Sequence, residues 1–159
     1  MNKARLLQTI ITQLSNDLAV LMTAAKSSHD AATHAENIPD NKYDTLALEA
    51  SYVAQGQANR ARQIRRSIEL YRQLNRLDQI DDTIQLGSLI TMETASGARK
   101  MLFIGVAEGG LRIMSDRGEI VVITVSSPIG RELLGKSIGD SVAIGAGTAH
   151  LEYEIIEVS

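Results

Sequence analysis

Three carboxylates, Glu36, Asp40 and Asp44, crowd one short stretch of the chain, with Lys42 the single base among residues 27–50 and five acids in that window. Asn37-Ile38-Pro39-Asp40-Asn41 interrupts the sequence there, and Pro39 is a strong helix stop. Such a cluster is a compact negative charge that can be presented to a partner. Read locally, it is also an ordinary polar helix-hairpin loop, with Asp40 or Asn41 capping the next helix. Other reactive types offer less. His29 and His34 lie near Asp30 and Glu36, but a spacing of five fits neither one helical face nor a common zinc motif, so solvated surface histidines are expected. There is no cysteine, hence no thiol nucleophile, thiolate metal site or disulfide. Gly105, Gly109 and Gly110 lack the following Lys-Ser/Thr and helix of a phosphate loop. Ser127 has no nearby histidine to act as base.

Long helices flank the acidic bend. No Gly or Pro occurs from Ala4 to Ala35, and two heptad series run through that stretch. They are Ala4, Ile11, Leu18, Ala25, Ala32 and Leu7, Leu14, Leu21, Ser28, Ala35. A second helix is expected from about Lys42 to Leu74, with seam positions Ala47, Ala54, Ala61, Ile68 and Ala50, Gln57, Ile64, Tyr71. In antiparallel order, Leu7 and Ile11 meet Ile68 and Tyr71, and Ala32 and Ala35 meet Ala47 and Ala50. Each helix of ~32 residues would reach ~48 Å. Alanine in place of leucine forfeits roughly three buried methylenes at ~0.8 kcal/mol each, so the end near the bend is expected to be slender and less stable. That taper suits insertion into something narrow better than a dimer arm. Tyr43 and Tyr52 are expected to pack near the bend.

Asn75 to Asp82 is polar and reads as a connector. Short strands follow, at Ile84–Glu93, Lys100–Val106, Leu111–Met114, Glu119–Thr124, Ser141–Ile144 and Leu151–Val158, separated by glycine-bearing turns. The last alternates, with Leu151, Tyr153, Ile155 and Glu157 on one face and Glu152, Glu154, Ile156 and Val158 on the other. One short helix interrupts the strands, with Ser127 as N-cap, Pro128 at its first position and Gly135 past its end.

The 159 residues are 44% hydrophobic but only 3% aromatic, which excludes a rich base-stacking platform. No apolar run approaches the ~20 residues of a membrane span, and polar residues from Gln8 to Asp17 break any signal peptide. A complete, cytoplasmic, soluble protein is expected. The net charge of −3 is unevenly placed: residues 1–78 carry ten Lys/Arg and eight Asp/Glu, residues 79–159 six and eleven. Residues 60–76 hold six arginines against the single acid Glu69, opposite in sign to the acidic bend.

The stretch Val125-Ser126-Ser127-Pro128-Ile129-Gly130-Arg131-Glu132-Leu133-Leu134-Gly135-Lys136-Ser137-Ile138-Gly139-Asp140-Ser141-Val142, with the ending Leu151-Glu152-Tyr153-Glu154-Ile155-Ile156-Glu157-Val158, resembles the C-terminal domain of bacterial GreA/GreB transcript-cleavage factors. The family also has an N-terminal antiparallel coiled coil of this length. The resemblance implies an α+β chain: a coiled-coil hairpin over 1–75, a linker over 76–82, and an FKBP-like domain over 83–159. It implies a monomer that docks on RNA polymerase at the secondary-channel rim through Ser126, Ser127 and Pro128. The coiled coil would enter the channel, and the acidic tip would meet the nascent RNA 3′ end in backtracked complexes. The factor would not be an enzyme itself but would stimulate the polymerase's own nuclease activity. Glu36, Asp40 and Asp44 are then the catalytic acids. Glu36 and Asp40 would help hold a Mg²⁺ shared with the polymerase active site, with no cofactor in the free protein. Arg60, Arg62, Arg65 and Arg66 would attract RNA phosphates.

Family tips carry an Asp and a Glu three positions apart, in a run like Gly-Asp-Leu-Ser-Glu-Asn-Ala-Glu-Tyr. Here the run is Ala35-Glu36-Asn37-Ile38-Pro39-Asp40-Asn41-Lys42-Tyr43-Asp44. Aligned on Tyr43, Pro39 falls where the second acid belongs, a one-residue shift places Asp40 there, and Lys42 replaces the third. A non-cleaving regulator that occupies the same channel is therefore the second expectation. An FKBP-like isomerase is a third, poorly supplied with aromatics because Phe103 is the only Phe and Trp is absent.

Overall fold

In the computed structural model of the protein, residues 2–36, 44–74 and 82–159 are described, and the side chains of 32, 34–36 and 44–47 lie outside that description. Two long helices come first, α1 at Lys3–Glu36 and α2 at Asp44–Leu74. The Asn2 side chain caps α1 by accepting from the Arg5 backbone N–H at 2.8 Å. The chain divides into two compact units, Ile11–Glu69, and Met1–Ile10 with Leu70–Ser159.

The first of these is a helical hairpin. Arg65 on α2 donates to the Met22 sulfur on α1, and one groove has Met22, Ala25 and His29 on one wall and Arg65, Ala61 and Ala58 on the other, so the helices run antiparallel. Leu14, Ala61, Ile64, Ser67 and Ile68 are buried. Further along, Leu18, Leu21, Ala25, Ser28, Ala50, Ala54 and Gln57 are only half-buried. The seam thus thins toward its alanine-rich end, as its composition anticipates. The expected meeting of Ala32 and Ala35 with Ala47 lies outside the described residues. Tyr52 departs from expectation: it is 68% exposed, because it falls between the seam positions Ala50 and Ala54.

The other unit is built on a six-stranded sheet: β1 Leu89–Glu93, β2 Arg99–Gly105, β3 Arg112–Ser115, β4 Gly118–Thr124, β5 Ser141–Ile144 and β6 Leu151–Val158. The spatial order is β3-β4-β2-β1-β6-β5. Only β2 and β4 pair in parallel, and the other neighbours are antiparallel. A short helix, α3 at Pro128–Leu133, contributes Leu133 to a core with Ile90, Met92, Leu102, Ile104, Tyr153 and Ile155 on one sheet face. Phe103, Met101 and Val122 are buried on the opposite face. From the two long helices, Leu6, Leu7, Ile10, Tyr71 and Leu74 are buried in this unit. Ala4, expected in the seam, is exposed, whereas Leu6 and Ile10 are buried. Here α1 belongs to a unit with a sheet and needs a wider apolar stripe than a two-helix seam provides.

Two strand details also differ from expectation. β1 begins at Leu89 rather than Ile84, because residues 85–88 form a turn with Gly87 at φ 88° and the Ser88 N–H bonded to the Gln85 carbonyl. Along β6, a register shift against Thr91 and Met92 pairs Ile90 with Val158 and Met92 with Ile155. Val158 therefore packs with the Tyr153–Ile155 core, and Glu157 turns to the other face, where it accepts from Thr91. Strict alternation fails at that bulge.

Candidate functional site

Glu36 is the last residue of α1 and Asp44 the first of α2. Asp40 lies outside the described residues. The two positions are not electrostatically equivalent. A negative charge at an N-terminus is favoured by the helix dipole, so Asp44 is accounted for by helix stability. At a C-terminus the same charge is opposed, by about 0.3–1 kcal/mol, so Glu36 is not. The chemistry of these carboxylates fits a hard cation such as Mg²⁺, which often takes one or two protein carboxylates. Among the described residues there is no cluster of three or more His, Cys, Asp or Glu able to hold a metal alone. His29 in particular is an exposed helical side chain.

Arg60, Arg62, Arg65 and Arg66 are all exposed on α2. Arg62 and Arg65 line a groove of about 560 Å³ that runs between the helices, and α1 adds Lys26 and His29 to it. Arg62 is steadied by donating to the Asn59 side chain, which also accepts from Gln55 at 3.1 Å. Arg65 Nη2 lies 2.8 Å from Met22 Sδ. Arg60 does not line the groove. Two residues at ~100° each put it on the far side of α2 from Arg62, where it approaches Gln63 at 3.5 Å. The structure thus gathers two of the four expected arginines and adds Lys26 and His29. Those two were missed because they belong to the other helix, and their meeting depends on the antiparallel register. A groove floored by alanines and rimmed by cations, with Arg62 lying 18 residues along α2 from Asp44, suits polyanions through phosphate attraction rather than base reading.

The segment Ser126-Ser127-Pro128 links β4 to α3 and is held rigidly. Ser127 Oγ donates to the Thr124 carbonyl at 2.7 Å and accepts the Gly130 N–H at 3.1 Å, which is the expected N-cap. Arg131 Nε reaches the Ser126 carbonyl at 3.0 Å. Gly130 is buried so closely against the Thr124 carbonyl that no side chain fits there. The Ser127 hydroxyl is consequently occupied within the fold. The surface open to a partner comes from Val125, Ser126 and Pro128, with Leu134 and Ile138 also exposed.

Residues 79–159, the β-sheet and α3 portion, match the family model for the transcription elongation factor GreA/GreB C-terminal domain. That match covers just over half of the chain.

The chain belongs to the GreA/GreB family.

Curated relatives named transcription elongation factor GreA include one from Beijerinckia indica, 28% identical over 100 residues, covering 59% of this chain and 60% of that protein. One from Rickettsia canadensis is 31% identical over 77 residues, covering 48% and 44%. One from Chlorobaculum tepidum is 48% identical over 44 residues, covering 28% and 26%. The matches thus span from a quarter to three fifths of the relatives' length. Among solved structures, the GreA factor homolog 1 of Thermus thermophilus aligns over 94% of both chains at 21% identity and a TM-score of 0.38. A GreA/GreB factor from Nitrosomonas europaea aligns over 83% of this chain and 91% of its own at 15% identity and a TM-score of 0.39. Family membership is carried by the sequence of the C-terminal portion. No helix among the described residues is long and apolar enough to cross a membrane.

Proposed function

We propose that this chain is a transcription elongation factor that binds RNA polymerase at the secondary channel and stimulates the polymerase's intrinsic cleavage of backtracked RNA. The observation that carries the reading is the position of Glu36: a carboxylate at the C-terminal end of α1, opposed by the helix dipole, with Asp44 the first residue of α2. A charge that costs helix stability is accounted for by use elsewhere. The docking surface is Ser126 and Pro128 with exposed Val125, held in place by the Ser127 cap. Arg62 and Arg65, with Lys26, attract the phosphates of the displaced RNA 3′ segment, while Arg60 and Arg66 contribute longer-range positive charge. Glu36 and Asp40 would hold a Mg²⁺ jointly with polymerase, with Asp44 adding negative charge nearby. When bound there, the ion supplies Lewis acidity for hydrolysis of the phosphodiester. The factor acts as a monomer in this reading and in the cytoplasm, where the polymerase is.

A second reading, a non-cleaving regulator of the same channel, is favoured by the altered spacing of the acids around Pro39. A displacement of ~1 Å can cost about a hundredfold in rate, so occupancy and chemistry separate readily. One experiment decides between them: add the chain to stalled, backtracked polymerase complexes and follow the RNA. Transcript shortening that disappears in Glu36→Ala and Asp40→Ala supports cleavage. Binding without shortening leaves the regulator. No binding defeats both. Docking is tested with Ser126→Arg and Pro128→Ala rather than at Ser127, whose hydroxyl caps α3. Unchanged affinity in both variants would remove the docking assignment.

A further inference from the structure

Four methionines are described, and they fall into two classes. Met92 is 0% exposed and Met101 8%, inside the sheet unit, whereas Met22 is 45% and Met114 71% exposed. Met114 sits on the edge strand β3. Met22 differs from it in its neighbour: its sulfur receives the Arg65 guanidinium at 2.8 Å, in the basic groove that also holds Lys26, His29 and Arg62.

We propose that Met22 is an oxidant-sensitive modification site, and that its sulfoxide ties up Arg65 and thereby weakens polyanion binding in the hairpin groove. The inference rests on the reading of that groove as a phosphate-binding surface. The oxidant class is a peroxide. One sulfur lone pair attacks a peroxide oxygen, an S–O bond forms and the O–O bond breaks. The departing oxygen leaves with the bonding electron pair, takes the proton of the transferred hydroxyl and becomes water. Sulfur loses two electrons and the peroxide gains two. The second lone pair keeps facing Arg65 during the attack, and the guanidinium N–H groups stabilise the negative charge that builds on the departing oxygen.

The consequence follows from the change of acceptor. A thioether sulfur is a weak acceptor that a phosphate easily displaces from Arg65. A sulfoxide oxygen is polar and strong, on a side chain already within reach, so Arg65 then has an intramolecular partner that competes with the phosphate. The step is reversible by methionine sulfoxide reductases, which is what separates a switch from damage. Met22 is half-exposed at the rim, so the added oxygen projects into the groove without unpacking a buried core.

The test uses the full chain, hydrogen peroxide, and a labelled single-stranded oligoribonucleotide as the polyanion. Peptide mass mapping should find Met22 oxidised faster than the more exposed Met114, with Met92 and Met101 protected. In Arg65→Ala that order should reverse. Oxidised protein should bind the oligonucleotide with a salt slope shallower by about 0.7, the loss of one phosphate contact on a single strand. Arg65→Ala should lose the same amount without peroxide, and binding by Met22→Leu should be the same with and without peroxide. Met22 reacting no faster than Met114 overturns the assistance by Arg65. Weakened binding in Arg65→Ala together with unchanged binding after oxidation overturns the switch and leaves the groove. Unchanged binding in Arg65→Ala overturns the groove itself, and the switch with it.

Discussion

Gly105, the last residue of β2, has an ordinary backbone conformation and is glycine for steric reasons alone. A Cβ placed there would run into the Tyr71 hydroxyl and the Val122 side chain. Tyr71, in the last turn of α2, is fully buried and its hydroxyl donates to the Ala107 carbonyl at 2.6 Å. In Gly105→Ala the added methyl must displace that hydroxyl. Overpacking costs about 1–3 kcal/mol, and a broken bond between two desolvated groups about 1–3 kcal/mol more. For a chain of this size the sum lowers the melting temperature by on the order of 10 °C. Tyr71→Phe alone loses the bond but not the ring, at a cost of about 1–3 kcal/mol. Both changes act on one hydroxyl, so Gly105→Ala/Tyr71→Phe should cost less than the sum of the singles by roughly 1–2 kcal/mol. Rescue is incomplete because Val122 still opposes the methyl. Urea and thermal unfolding followed by circular dichroism give the four corners of the cycle. Strict additivity would refute the reasoning, since it would mean that the methyl and the hydroxyl never meet. An alkaline titration adds a check. Burial is the largest cause that pushes the Tyr71 hydroxyl far above its ordinary value of 10.0, against an opposing effect of the Ala107 bond and with a smaller upward push from the charge of Glu108. A raised pKa stabilises the fold fully below the unfolded value and loses that contribution as pH climbs past it. The advantage of the native chain over Tyr71→Phe should therefore narrow above pH ~10.

Gln57 occupies a seam position and its Oε1 is buried without a hydrogen-bond partner. Gln57→Leu should stabilise the hairpin by about 1–2 kcal/mol, read as slower amide exchange in α1 and α2, and faster exchange would contradict it. Glu157 accepts from Arg117 at 2.6 Å and from Thr91 at 3.2 Å, and the Arg117 hydrogen bond, first among the causes, holds its carboxyl below the ordinary 4.5 against a smaller opposing effect of burial. A depressed pKa stabilises above the unfolded value and is lost as pH falls through the folded one. Glu157→Gln should therefore flatten the acid limb of a stability-against-pH curve below pH ~4.5 and leave its alkaline limb unchanged.

Local signals in the sequence carried far in some places and stopped in others. Ser127-Pro128 determines the start of α3 because a capping hydroxyl and a fixed φ act within four residues, and the structure shows both. The heptads reveal two helices for the same reason. The start of β1 was missed because Gly87 takes a left-handed conformation that alternation in the flanking residues does not announce. The faces of Glu157 and Val158 were exchanged because a bulge is a property of a strand pair, and the β1 side of that pair lies more than 60 residues away. The burial of Leu6 and Ile10, and the groove that joins Lys26 to Arg62, are likewise products of tertiary neighbours. At the acidic bend the sequence supplied residue types and order, while the distance between carboxylates depends on the geometry of 37–43, which lies outside the described residues.

Stability and charge point the same way along the hairpin. Leu14, Ile64 and Ile68 are buried, yet further along Val20, Leu48, Tyr52 and Val53 stand 53–70% exposed and the seam holds alanine, serine and glutamine. A two-helix arm has no third layer to cover such side chains, and bulky seam residues would have been the simplest remedy. Instead this part of the arm carries a carboxylate against the α1 dipole at Glu36 and a row of cations on α2. Each choice lowers the intrinsic stability of the hairpin, and each lets a narrow, charged, partly apolar rod gain energy from walls it meets elsewhere. A dimerisation arm would accumulate the opposite features, with its largest apolar residues spread to the end and like charges kept apart. Under the proposed reading, the packing partner that such an element meets is the lining of the polymerase channel.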